Sequence, residues 1–120
     1  MVTSILIVDD DPAFLALATC VLEGMGIEVV GRALDAATAV EAAEATRPDG
    51  ALVDVGLPDR DGVDLAYELA ALPWKPTVVL TSADADAGDA IEAAPGRPVI
   101  AFVPKDQLCN GTLPRHLGAQ

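Results

Sequence analysis

Ser4 to Val8 is an uncharged, mostly β-branched run that ends abruptly in Asp9-Asp10-Asp11-Pro12. Ile5, Leu6, Ile7 and Val8 do not alternate with polar residues, so the run reads as a strand covered on both faces, like the central strands of parallel sheets. The acids then stand at its C-terminal edge, where open α/β sheets place their ligands.

Beyond it the pattern alternates between helix and strand. Asp11 before Pro12 predicts a helix start, with Phe14, Leu17, Val21, Leu22 and Met25 at helical spacing and Gly24 and Gly26 at the end. Ile27 to Ala33 reads as a second strand, and Asp35 caps an alanine-rich helix to about Thr46 with Val40 as its main large anchor. Gly50 to Val53 is a third strand, again ending in an acid, Asp54. A loop with Gly56, Pro58 and Gly62 leads to a helix with Leu65, Leu69 and Leu72 on one face, stopped by Pro73. Thr77 to Thr81 is a fourth strand. A short or mobile helix is expected within Ala83 to Ala94, a fifth strand over Val99 to Val103, and a short final helix from about Asn110 to Leu117.

Five strand and helix alternations predict an α/β domain: a doubly wound, five-stranded parallel sheet flanked by about five helices. With the strand order 2-1-3-4-5, the first and third strands are neighbours at the switch point, and Asp9, Asp10 and Asp54 converge in one pocket. At 120 residues the chain is read as one domain, 1–120, with no effector domain following. The 52% apolar and 3% aromatic composition suits a Val, Leu, Ile and Ala core and excludes disorder.

Seven basic against nineteen acidic residues give a net charge of −12. That balance repels nucleic acid and anionic lipid and favours cations. No stretch is long enough to span a bilayer, no basic region precedes the first apolar run, and a cytoplasmic location is expected. Cys20 and Cys109 have no Cys or His at metal spacing and read as buried, inert thiols. Asn110-Gly111-Thr112 reads as a helix start rather than a glycosylation site, Gly24-Met25-Gly26 as a turn rather than a nucleotide loop, and His116 as a surface residue.

Carboxylates crowded into one pocket repel, and a bound divalent cation or a raised pKa relieves them. With only oxygen donors present, Mg²⁺ is the natural ion. Thr81 ends the fourth strand and Lys105, one of two lysines, follows the fifth, so a hydroxyl and an ammonium face the same crevice. Together these groups suit a phosphoryl group, with Asp54 the best nucleophile.

Four stretches taken in order, Ile5 to Pro12, Val53 to Gly62, Leu80 to Ala83 and Phe102 to Lys105, resemble the response-regulator receiver domain over essentially the whole chain. The resemblance implies a flavodoxin-like fold and a place in two-component signalling or a phosphorelay. It implies that Asp54 accepts a phosphoryl group from a histidine kinase or phosphotransfer protein. Asp10, Asp54 and the Gly56 backbone carbonyl would bind Mg²⁺, with Asp9 acting largely through metal-bound water. Thr81 would hydrogen-bond a phosphoryl oxygen and swing inward, Lys105 would pair with another, and Phe102 would occupy the aromatic switch position.

The chain would then be no enzyme beyond its own phosphorylation and dephosphorylation. Its partners would be the phosphodonor and a downstream protein, with no nucleic acid or membrane, and it would be a monomer or a phosphorylation-dependent homodimer. Asp11 is assigned to helix capping. Lys105 is followed by Asp106 where the family usually has proline, so a cis peptide is not expected and the loop geometry is open to change. Pro95 and Pro98 before the fifth strand, together with the short final helix, would reshape the family's output surface. Gly56 and Ala83, two residues beyond Asp54 and Thr81, cannot orient an attacking water, which implies slow self-dephosphorylation. Two other readings compete: a Mg²⁺-dependent phosphohydrolase using Asp54, which lacks a general acid at Gly56, and a pseudo-receiver that binds partners without phosphorylation.

Overall fold

The computed structural model describes residues 4–82 and 101–105. Five parallel strands lie in the order β2-β1-β3-β4-β5, as expected: β1 Ser4–Val8, β2 Glu28–Ala33, β3 Gly50–Asp54, β4 Thr77–Ser82 and β5 Ala101–Pro104. Three helices lie among the described residues, α1 Pro12–Gly24, α2 Ala36–Thr46 and α3 Gly62–Ala70. The helices expected within Ala83 to Ala94 and from Asn110 to Leu117 fall outside the described residues, as do Cys109, Asp106 and His116.

The continuous apolar runs of β1 and β3 are buried because both sheet faces are covered. Leu6, Val8, Ala51, Val53, Val78 and Leu80 pack with α2 and α3, while Ile5, Ile7, Leu52, Val79 and Val103 pack with α1. Successive side chains of one strand thus serve two cores. Pairing of β1 with β3 in register, Val8 opposite Val53, brings the two acidic strand ends side by side.

The caps at Asp11 and Asp35 are those expected, and the structure adds one at Asp61. Asp11 accepts a hydrogen bond from Ala13 N at 3.0 Å, Asp35 from Thr38 N at 2.8 Å, and Asp61 from Val63 N at 2.9 Å. The inward face of α1 differs. Phe14, Leu15, Ala18, Thr19 and Leu22 are buried, while Leu17 and Met25 remain 50% and 38% exposed. With 3.6 residues per turn, Leu17 lies about 130° around the axis from the centre of that face, and the small Ala18 lets the helix sit close to the sheet. The same geometry leaves Cys20 exposed rather than buried. On α2, Ala36, Ala39 and Ala43 form the buried face and Val40 is only half-buried. On α3, Leu65 and Leu69 are buried, but the helix ends before Leu72, which packs half-buried beyond the C-cap.

Candidate functional site

The site is built from four strand ends. Asp9 follows β1 and donates its backbone N–H to Ala33 O at 3.0 Å, which ties it to the end of β2. Its Oδ1 accepts from Asp11 N at 2.9 Å, so the acidic turn is held by its own first carboxylate. Asp54 closes β3 opposite Thr81 on β4, and Val55 N donates to Thr81 O at 2.9 Å. Thr81 pairs in turn with Val103 on β5, just before Lys105.

These elements bring together Asp9, Asp10, Asp54, Thr81 and Lys105. One carboxylate oxygen from each of the three aspartates lies within 4.8 Å of the other two. Asp9 and Asp54 are buried, and Asp10 is exposed at the rim. The Lys105 ammonium is 2.7 Å from Asp9 Oδ2 and 3.6 Å from Asp54 Oδ1. Among the described residues that ammonium is the one partner of the buried Asp9 Oδ2, and the buried Thr81 hydroxyl has no hydrogen-bond partner. Phe102, also on β5, is half-buried against the core face shared with α2 and α3.

The electrostatics follow from this crowding. Burial, then the charge of Asp9, holds the Asp54 pKa above the ordinary carboxylate value, and the nearby Lys105 only partly offsets them. For Lys105, burial opposes the charged form, but the hydrogen bond with Asp9 and the charges of Asp54 and Asp9 outweigh it and raise the pKa.

The loop after Asp54 is folded tightly. Gly56 bridges Asp61, Gly62 N donates to Val55 O at 3.0 Å, and a Cβ built on Gly56 would come within 3.8 Å of Asp54 Oδ2. A Cβ on Gly62 would collide with the Asp54 carbonyl oxygen and lie 2.8 Å from Val55 Cα, so only glycine permits this closure. Asp59 reaches from the loop to the start of α2, accepting from Ala36 N at 2.9 Å and Ala37 N at 3.2 Å. The Ala36 bond is the main cause of its lowered pKa.

Three carboxylates against one ammonium leave a net negative, oxygen-only site. The donors fit a small hard dication: oxygens around Mg²⁺ at about 2.1 Å stand roughly 3–4 Å apart, within reach of the spacing seen. Asp11 is turned to its capping role. Two residues gained a role that sequence reasoning did not assign. Asp59 gave no signal beyond being an acid in a Gly- and Pro-containing loop. Phe14, read as core, also places its ring 4.4 Å from the Lys105 ammonium.

Known proteins agree with this architecture. The chain is 34% identical over 110 residues to the transcriptional regulatory protein PdtaR of Mycobacterium tuberculosis, covering 92% of this chain and 53% of that protein. It is 40% identical over 80 residues to the DNA-binding response regulator MtrA of Mycolicibacterium smegmatis, covering 65% of this chain and 34% of that protein. It therefore spans about half or less of these relatives' lengths. Among solved structures, the signal receiver domain of the response regulator NarL from Mycobacterium tuberculosis superposes with a TM-score of 0.77 at 26% identity, over 97% of each chain. The receiver domain of a modulated diguanylate cyclase from Desulfovibrio desulfuricans gives 0.79 at 27% identity, over 98% of this chain and 92% of that one. A profile for the response regulator receiver domain matches residues 5–107, a span that reaches into every strand and takes in the three acids, the threonine and the lysine, and the chain belongs to that family.

Proposed function

We propose that this receiver domain, whose family acts as phospho-acceptor in two-component signalling, uses Asp54 as its acceptor and takes the phosphoryl group from a phosphohistidine on a histidine kinase or phosphotransfer protein. The observation that carries this reading is the position of Asp54, at the end of a buried strand, flanked by Asp9 and Asp10, opposite Thr81 and 3.6 Å from Lys105.

An Asp54 carboxylate oxygen attacks phosphorus and forms the new O–P bond. The N–P bond of the donor breaks, and its electron pair stays on the departing imidazole nitrogen, which takes up a proton. Asp10, Asp54 and the Gly56 carbonyl would hold Mg²⁺, with Asp9 contributing through bound water, and the ion would neutralise phosphoryl charge. Lys105 supplies a fixed positive charge for one phosphoryl oxygen. The Thr81 hydroxyl, without a hydrogen-bond partner among the described residues, can donate to another, which supports its role as a switch. Phe102, half-buried on the neighbouring strand, is assigned to the same response.

Gly56 offers no side chain to orient a hydrolytic water and no general acid, which favours a long-lived acyl phosphate over a phosphohydrolase turning over external substrates. With a net charge of −12 we assign protein partners, a kinase or phosphotransfer protein and a downstream target, and a cytoplasmic location. No helix among the described residues is long and apolar enough to cross a membrane.

The test is incubation with acetyl phosphate and Mg²⁺ followed by intact-mass measurement. The wild type is expected to gain one phosphoryl group and Asp54→Asn none. Mg²⁺ binding without any mass gain points instead to a phosphorylation-independent interaction module. A phosphoryl half-life of only seconds would overturn the slow-hydrolysis reading.

A further inference from the structure

Among the described residues the Lys105 ammonium has a third neighbour besides its two carboxylates. Phe14, in the first turn of α1 and almost fully buried, presents its ring to Lys105 Nζ at 4.4 Å from the centroid. The ring belongs to the same core wall as Val103, two residues before the lysine. An ammonium carries three N–H donors. Asp9 Oδ2 at 2.7 Å and Asp54 Oδ1 at 3.6 Å provide acceptors on one side, while the negative face of the ring takes the place of water on another. An aliphatic side chain of similar size would desolvate that side of the ammonium and return no attraction.

We propose that Phe14 is a positioning residue that holds the Lys105 ammonium over the acidic pocket through the face of its ring. This rests on the acceptor reading above. Asp9 and Asp54 are the groups that the cation and the phosphoryl group would engage, so their hold on Lys105 is contested when those arrive. The ring competes for neither. Of these three contacts among the described residues, it is the one that can keep the ammonium in place through the reaction.

Two measurements test this. In the metal-free protein, a carbon–proton correlation spectrum should show the Lys105 ε-methylene protons shifted upfield by the ring current. With only Lys75 besides, Lys105→Met identifies the signal by its loss. The shift should disappear in Phe14→Leu and persist in Phe14→Tyr. In acetyl phosphate assays, Phe14→Leu should slow phosphoryl uptake about three- to fivefold, the range of a partly buried cation–π contact. Phe14→Tyr should stay within about twofold, and Phe14→Leu should add nothing in a Lys105→Met background.

An unshifted lysine methylene in the wild type overturns the proposal, as does equal slowing by leucine and tyrosine. If the wild type takes up no phosphoryl group, the acceptor reading fails, and the methylene shift alone then decides the contact. If Phe14→Leu does not fold, Phe14→Met and the wild-type spectrum carry the test.

Discussion

Replacing Asp54 by asparagine should make the metal-free fold more stable. The change removes one charge from a pocket where Asp9, Asp10 and Asp54 oxygens lie within 4.8 Å of each other and Lys105 is 3.6 Å from Asp54. At an effective dielectric constant of about 20, a pair of like charges 4.8 Å apart repels by about 3.5 kcal/mol, and the ion pair at 3.6 Å attracts by about 4.6 kcal/mol. Asp54 therefore loses two repulsions and one attraction, a net relief of roughly 2 kcal/mol on that scale. Screening of the exposed Asp10 reduces this relief, while the burial of Asp54 adds to it, which leaves about 1–2 kcal/mol. For a chain of this length that is a rise in Tm of about 4–8 °C.

The pH dependence has a definite sign. The folded pKa of Asp54 is raised above its ordinary value of 3.8, so the stability linked to its protonation is present below that value and is lost as pH rises through the folded pKa. The gain from Asp54→Asn should accordingly be near zero at acid pH, open above about pH 4 and grow as pH rises through the folded pKa. Thermal unfolding followed by circular dichroism at low ionic strength, with EDTA, at pH 7 and again near pH 3.5, measures it. Saturating Mg²⁺ should close or reverse the difference, since the wild type has the fuller set of ligands, and occupancy at 100 times Kd adds about 2.7 kcal/mol. An asparagine variant that melts at or below the wild type at pH 7 in EDTA refutes the reasoning.

Three further outcomes follow from the same geometry. Gly62→Ala should cost about 2–4 kcal/mol, because its Cβ collides with the Asp54 carbonyl; a urea midpoint equal to that of the wild type would contradict this. Thr81→Val keeps the shape but removes a buried hydroxyl that has no partner among the described residues, and should raise stability by about 1 kcal/mol in urea unfolding while abolishing any phosphorylation-dependent shift of nearby amide resonances. Asp59→Ala should lower Tm at pH 7, by an amount that shrinks as the pH is taken below 3.8. Its folded pKa is depressed, chiefly by the Ala36 N–H, so its contribution exists above the ordinary 3.8 and fades as pH falls through the lower folded value.

The strand order and the convergence of Asp9, Asp10, Asp54, Thr81 and Lys105 were legible because each residue stands at the end of an apolar run, where chain direction alone decides the edge it reaches. Asp11 and Asp35 were readable as caps for an equally local reason, whereas Asp61, inside the Gly- and Pro-containing loop, was not singled out. The inward face of α1 was not, since ranking residues by size favours Leu17 and Met25, whereas the helix turns Leu15 and the small Ala18 to the sheet. Cys20 was misplaced by the same rotation. The reach of Asp59 to α2 and of Phe14 to Lys105 joins elements distant in sequence, and no periodicity carries such pairs.

Those two long reaches bear on how a change at Asp54 would spread. The loop after Asp54 is closed on itself by the Gly56 to Asp61 bridge and by the close approach at Gly62. Its Asp59 then satisfies the first backbone donors of α2, while Asp61 caps α3. One short loop thus fixes the starts of both helices on the same face of the sheet. On the other face, Phe14 of α1 touches the lysine that spans Asp9 and Asp54. A new charge on Asp54 must redistribute the contacts of Lys105 and press on the loop backbone, and each of the three described helices starts at one of those two places. The direction of the response therefore depends on which yields first, the ammonium held by a ring or the loop held by glycine, and the Phe14 and Gly62 variants separate the two.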